Sequence, residues 1–239
     1  MSFGGNNFED MWFIASVWAD SERARRRYEE EWEEEQKEKA RQARPQISET
    51  NRARIREISR DVENNLRGIE AEEKIHSYLN PGPFARVPHY ELKNVYLVDV
   101  NGMSHEIDFI EIRETGIFCI EVKNWAGDIR GGRQDKYWSS NGNSRRNPCF
   151  QNDTHIRAIH DIIGKKPHIT SVIVMAQNNA RPIGIDGVIN LNDFRSYMSS
   201  FTEKVISLEE MHHIYSLLEQ SRVKMSRQEH VENIKKYGK

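Results

Sequence analysis

Three side chains in the stretch EIDFIEIRETGIFCIEVKNW (residues 106–125) are out of place for a buried β-hairpin: Asp108, Glu121 and Lys123. Alternation along a strand puts Phe118, Ile120 and Val122 on one face and Cys119, Glu121 and Lys123 on the other. With Thr115-Gly116 as a two-residue turn, residue 114 pairs with 117, Asp108 falls opposite Lys123, and Glu121 lies diagonally from Asp108. Diagonal neighbours are roughly 7–8 Å apart at the backbone. Two carboxylates there repel, so their ionised forms are disfavoured. A divalent cation held at about 2.1–2.6 Å by their oxygens removes that conflict. The lysine beside them is a compact charge able to hold a water or a phosphate oxygen. Metal, acidified water and cation together are what phosphodiester hydrolysis requires. The same spacing also fits a salt-bridged sheet face, with Lys123 paired to Asp108 and no chemistry at all.

Two helices supply further candidates. In the helix before the hairpin, Val62, Leu66, Ile69, Ile75 and Leu79 form an apolar stripe. At 100° per residue Glu72 falls inside it and Glu73 at its edge. An acid in a core-facing stripe is costly unless paired or coordinated. In the helix after the hairpin, Gln151, His155, Ala158 and Ile162 share one face, which should look toward the sheet. On its own, His155 also reads as a packed, hydrogen-bonded histidine.

The elements that position these groups are legible. Residues 8–44 are rich in strong helix formers, and Trp18, Arg25, Trp32 and Lys39 recur at seven-residue steps, a poor coiled-coil seam with only two apolar members. Pro45 ends this arm. Ser48 or Thr50 caps a second helix that runs to about Leu79, before Asn80-Pro81-Gly82-Pro83. Strands are expected at 90–100, 106–113 and 117–124, with short pieces near Asp128 and Tyr137. Asn147 caps a helix over 148–163 with Pro148 in its first turn. A buried strand follows at 169–176 and another at 187–191. Ser207 and Glu210 form a capping box opening a helix to about Gln220. The sequence therefore predicts an α/β fold on a mixed central sheet flanked by helices. Three parts are expected: a charged helical arm (1–45), a globular domain (46–220), and a basic, helical but loosely held tail (221–239).

Bulk properties narrow the setting. Net charge is −2, so any nucleic-acid contact must come from local patches. Two cysteines, Cys119 and Cys149, are too few for a disulfide framework and fit a reduced cytoplasmic compartment. The apolar run at 11–19 is far short of the ~20 residues of a membrane span, and no Lys or Arg precedes it as a secretory signal would require. A soluble cytoplasmic protein with no membrane partner is expected.

The runs Gly68-Ile-Glu-Ala-Glu72, Glu106-Ile-Asp108, Gly116-Ile-Phe-Cys-Ile-Glu121-Val-Lys123-Asn, Trp138, and Asn147-Pro-Cys-Phe-Gln151 together resemble the nuclease-related domain (NERD) family, a branch of the PD-(D/E)xK nuclease superfamily. The resemblance covers about residues 65–180. It implies a restriction-endonuclease-like αβββαβ core and a metal-dependent DNA nuclease, expected to be an endonuclease. Mg²⁺ or Mn²⁺ would be held by Asp108 and Glu121, with the Val122 carbonyl. Glu72 would hold a second metal or a metal-bound water, Lys123 would orient the attacking water or meet the developing charge, and Gln151 would position a phosphate or water. Ala71 departs from the family, where glycine commonly precedes the helix acid; alanine costs the helix little. DNA would approach over Arg130, Arg133, Lys136, Arg145 and Arg146, with Trp125, Tyr137 and Trp138 available for stacking. The same arginines also fit a merely solvated loop. Lys165, Lys166 and the tail are weaker candidates. Two other readings stay open: a binding module that keeps the fold and cleaves little, and an assembly protein that forms homo-oligomers through Phe8, Trp12, Phe13 and Trp18 of the arm.

Overall fold

A computed structural model describes residues 26–39 except 28, 48–80, 88–179 and 184–238. The chain divides into two compact units, Met1–Ile58 and Ser59–Lys239. In the first, the described arm residues are helical and exposed, with i,i+4 ion pairs such as Lys39–Glu35 at 2.7 Å. Phe8, Trp12, Phe13 and Trp18 lie outside the described residues. No described helix is long and apolar enough to cross a membrane.

Helix α1 (Glu49–Leu79) begins where Ser48 Oγ accepts the Asn51 amide at 3.3 Å. Its apolar stripe is buried only at the C-terminal end. Ala71, Ile75 and Leu79 are 4%, 0% and 2% exposed, whereas Val62, Leu66 and Ile69 are 52%, 54% and 56% exposed. Periodicity marks a face of the helix but does not say how far the sheet extends beneath it.

Strands β1 (His89–Val98), β2 (Ser104–Arg113) and β3 (Gly116–Lys123) form an antiparallel meander. β4 (Ile129–Arg130), β5 (Tyr137–Ser140) and β6 (Asn143–Arg146) make a separate small sheet. Helix α2 (Pro148–Ile163) starts as expected, with Asn147 Oδ1 accepting the Cys149 amide at 2.9 Å. It carries the chain back to β7 (Ile169–Met175), parallel to β3, and β8 (Val188–Asn190) lies parallel beside β7. The main sheet therefore runs β1-β2-β3-β7-β8, a mixed sheet of the expected α/β kind.

Two cores flank it. One joins Ile110, Ile112, Ile117 and Cys119 to Ile159 of α2 and to Met211, Ile214 and Leu218 of α4 (Leu208–Gln220). The other joins Phe109, Phe118, Ile120, Val172 and Val174 to Ile75 and Leu79 of α1 and to Phe194 and Met198 of α3 (Phe194–Ser199). α4 carries the expected Ser207–Glu210 capping box. α5 (Arg227–Tyr237) has its own, Ser226 with Glu229. The end of the chain is docked rather than loose, because Asn233 and His230 hydrogen-bond the turn and first residue of β2.

Candidate active site

The hairpin register differs from expectation by one residue on each strand. Arg113 pairs with Gly116 and Phe109 with Ile120, so Glu114-Thr115 make the turn. The Glu114 carbonyl is held by the amides of Val205 and Ile206, at 2.8 and 3.2 Å, a clasp from residues distant in sequence. One step beyond the last ladder pair, Asp108 comes opposite Glu121 rather than Lys123.

A local irregularity frees Asp108. The β1–β2 ladder skips Asn94 and Asp108, and Asn94 takes a left-handed φ of 51°. Alternation resets there: Ile107 and Ile110, three apart, enter the same core, as do Leu92 and Val95. Asp108 then turns to β3 and accepts the Val122 amide at 2.7 Å.

Glu121 lies on the α2 face of the sheet and is 3% exposed. Its Oε1 accepts from Lys123 Nζ and, at 2.9 Å, from Gln151 Nε2. Gln151 Oε1 in turn accepts from Lys123 Nζ at 2.9 Å. Lys123 thus pairs with Glu121 and Gln151 in a closed triangle. Oε2 of Glu121 is buried without a hydrogen-bond partner, and so is Nδ1 of His155, 3.3 Å away. Glu72 stands at the rim, half-buried, its Oε2 reached by Asn94 Nδ2 at 3.4 Å. Its neighbour Glu73 turns away to Lys93.

Electrostatics sort the acids. Burial, reinforced by the Glu121 charge, pushes the Asp108 carboxyl well above the usual range. Burial also opposes ionisation of Glu121, but Lys123 and His155 outweigh it and hold that carboxyl below its ordinary value. Lys123 is desolvated too, yet Glu121 and Asp108 keep its ammonium charged and raise its pKa. Burial raises Glu72. Without a cation, the surroundings favour the charged forms of Glu121 and Lys123 and disfavour that of Asp108.

Among the described residues no three His, Cys, Asp or Glu side chains form a ready-made metal cage. The donor set still fits a hard divalent ion: the orphaned Glu121 Oε2 and the Asp108 carboxyl are oxygen donors. Mg²⁺ ordinarily takes only one or two carboxylates and fills its shell with water and phosphate oxygens.

The basic candidates separate. Arg145 and Arg146 on β6 and Lys136 on the loop before β5 are exposed. Arg130 is within 3.9 Å of Asp128, both largely in solvent. Arg133 Nη2 donates to both Asp153 oxygens, at 2.8 and 3.1 Å. Trp138 departs from expectation: at 1% exposure it cannot stack on a base. Its ring lies over Gly131, where a Cβ would come within 2.1 Å of it, and its Nε1 donates to the Gly132 carbonyl at 2.9 Å. The ring packs with Ile129, Cys149, Ile173 and Met175, which joins the small sheet to α2 and β7. Tyr137 is 53% exposed. Sequence reasoning gave Asn147 only a cap; its Nδ2 also donates to the carbonyls of Gly132, Arg133 and Asp135, at 3.2, 3.1 and 2.7 Å. One side chain thereby ties the arginine-bearing loop to the helix that carries Gln151.

A mixed five-stranded sheet flanked by helices, with an Asp–Glu–Lys cluster at the end of its central hairpin, is the core of a restriction-endonuclease-like α/β domain. The model of the nuclease-related domain family (NERD) matches residues 67–176 of the chain. The chain is also 30% identical over 136 residues to an uncharacterized protein of Bacillus anthracis, pXO1-01; the match covers 53% of this chain and 64% of that protein. No solved structure matches.

Proposed function

We propose that the protein is a metal-dependent DNA nuclease of endonuclease type. The observation that carries this reading is the meeting of Asp108, Glu121, Lys123 and Gln151 where β3 ends beside the break in the β1–β2 ladder. Asp108 and Glu121, with the Val122 carbonyl, would hold Mg²⁺ or Mn²⁺, and Glu72 a second ion or its water. The ion, when bound, polarises the phosphoryl group and acidifies water. Lys123, fixed by Gln151, faces the charge that develops on the phosphate, and its burial strengthens that interaction. Gln151 holds the ammonium in place, and its amide can pass to a phosphate oxygen as substrate arrives. His155, with Nδ1 3.3 Å from Glu121 Oε2, supports the Glu121 charge. Lys136, Arg145 and Arg146 provide the exposed positive charge for a DNA backbone.

The test is cleavage of supercoiled and linear DNA by the full chain with Mg²⁺, Mn²⁺ or EDTA. Nicking or linearisation of the closed circle that stops in EDTA is expected. Binding without cutting under every metal would instead favour a module that grips nucleic acid.

A further inference from the structure

Helix α5 lies beyond residues 67–176, the part matched by the family, yet it builds a wall beside the candidate site. Asn233 Oδ1 receives the Ser104 amide at 2.7 Å, and Asn233 Nδ2 donates to the Gly102 carbonyl at 3.1 Å. Ser104 Oγ and His230 Nδ1 share a hydrogen bond of 2.7 Å. So fastened, α5 leaves between itself, β6 and the start of α2 a cavity of about 580 Å³. Gln151 and His155, the two α2 side chains at Glu121, also line it. Cavity and catalytic cluster therefore share a wall.

The lining has two chemistries. Lys136 and Arg146 bring positive charge, with Glu106 the one carboxylate among the lining residues. Met103, Phe150 and Ile234 bring apolar surface, and Phe150 and Ile234 stay 38% and 37% exposed. The Phe150 ring and the apolar Met103 and Ile234 beside two cations match a nucleotide, whose base has a π-face and whose phosphate is anionic. The volume is that of a pocket for one small ligand, so a duplex does not enter. An unpaired nucleotide does, and leaving the stack costs least for a base already single-stranded.

We propose that this cavity takes one unpaired nucleotide of the substrate strand beside the phosphate addressed by Asp108 and Glu121, so that the protein prefers single strands, flaps or frayed ends to blunt duplex. This rests on the nuclease reading but is tested apart from it. Fluorescence anisotropy with a labelled oligothymidylate and its blunt duplex, on the full chain in EDTA, requires no cleavage. The single strand should bind about tenfold tighter than the duplex. Ile234→Asp should erase that advantage while leaving duplex affinity within about twofold, and Ile234→Leu should keep it; each variant's folding is checked by its melting curve. If Ile234→Asp fails to fold, Phe150→Ser reads the same wall. Thymidine monophosphate should displace the strand at far lower concentration than inorganic phosphate. Equal displacement, an unchanged advantage in Ile234→Asp or Phe150→Ser, or equal wild-type affinities overturns the pocket. If the preference holds but no DNA is cut with Mg²⁺ or Mn²⁺, the pocket stands and the nuclease reading falls.

Discussion

Asp108 faces Glu121 across β2 and β3, one step past the Phe109–Ile120 pair, and spends one oxygen on the Val122 amide. Burial and the neighbouring charge raise the Asp108 carboxyl well above its ordinary value when no cation is present, so a neutral amide at 108 suits the resting site. Asp108→Asn preserves the acceptor for Val122 and should fold with a melting temperature close to the wild type. The same change removes an anionic oxygen that a metal needs and should lower cleavage by at least about a hundredfold. Paired melting and cleavage measurements decide. Normal cutting by the variant would place the chemistry elsewhere.

Lys123 is as much a structural cation as a candidate catalyst. Its ammonium and the Gln151 amide satisfy Glu121 Oε1, while Glu121 Oε2 is already orphaned. Lys123→Ala strands a buried carboxylate, and breaking one side of such a pair costs about 3–5 kcal/mol. A cleavage test with Lys123→Ala therefore needs a companion variant. Glu121→Gln combined with Lys123→Met should recover most of the lost stability in chemical denaturation while remaining inactive. If Lys123→Ala alone is as stable as wild type, the triangle contributes little in solution.

Metal binding should release a proton. Asp108 titrates above the usual carboxylate range, and a metal ligand must be deprotonated. Below the raised pKa each bound cation displaces the Asp108 proton, so affinity for Mg²⁺ or Mn²⁺ should rise with pH and level off above it. Calorimetry in two buffers of different ionisation enthalpy should give heats that differ by the proton taken up by buffer. Identical heats at neutral pH would show that Asp108 is already ionised.

Elements specified by their own neighbours were legible: the Asn147 cap of α2, the Ser207 box of α4, the apolar run of β7 and the acids of the hairpin. What escaped depends on distant chain. The turn could be read as Thr115-Gly116 until the Glu114 carbonyl met Val205 and Ile206, about ninety positions on. Trp138 has the composition of a stacking residue, and only its fit over Gly131 reveals a core ring. The docking of α5 rests on Asn233 reaching Ser104, 129 residues earlier, and no local pattern announces such a contact. Asn94, whose left-handed backbone sits at the break that frees Asp108, carries no signal beyond asparagine's tolerance of that conformation.

Glu111 offers a check on burial electrostatics away from the site. It pairs across strands with Glu91 and is fully buried; Arg113 Nε reaches its Oε1 at 2.6 Å, and its Oε2 has no partner. Burial outweighs the guanidinium and raises the carboxyl from 4.5 to about 8. An acid with a raised folded-state pKa holds its proton more tightly folded than unfolded. Its cost is therefore absent below the unfolded value of 4.5, grows between there and about 8, and is constant above. Glu111→Gln removes that ionisation, so its melting temperature should exceed the wild type's by several degrees at pH 8.5 and show no such gain near pH 4.5. Melting curves across that range measure the difference directly. A gain that shrinks as pH rises would mean that Arg113 keeps Glu111 ionised throughout.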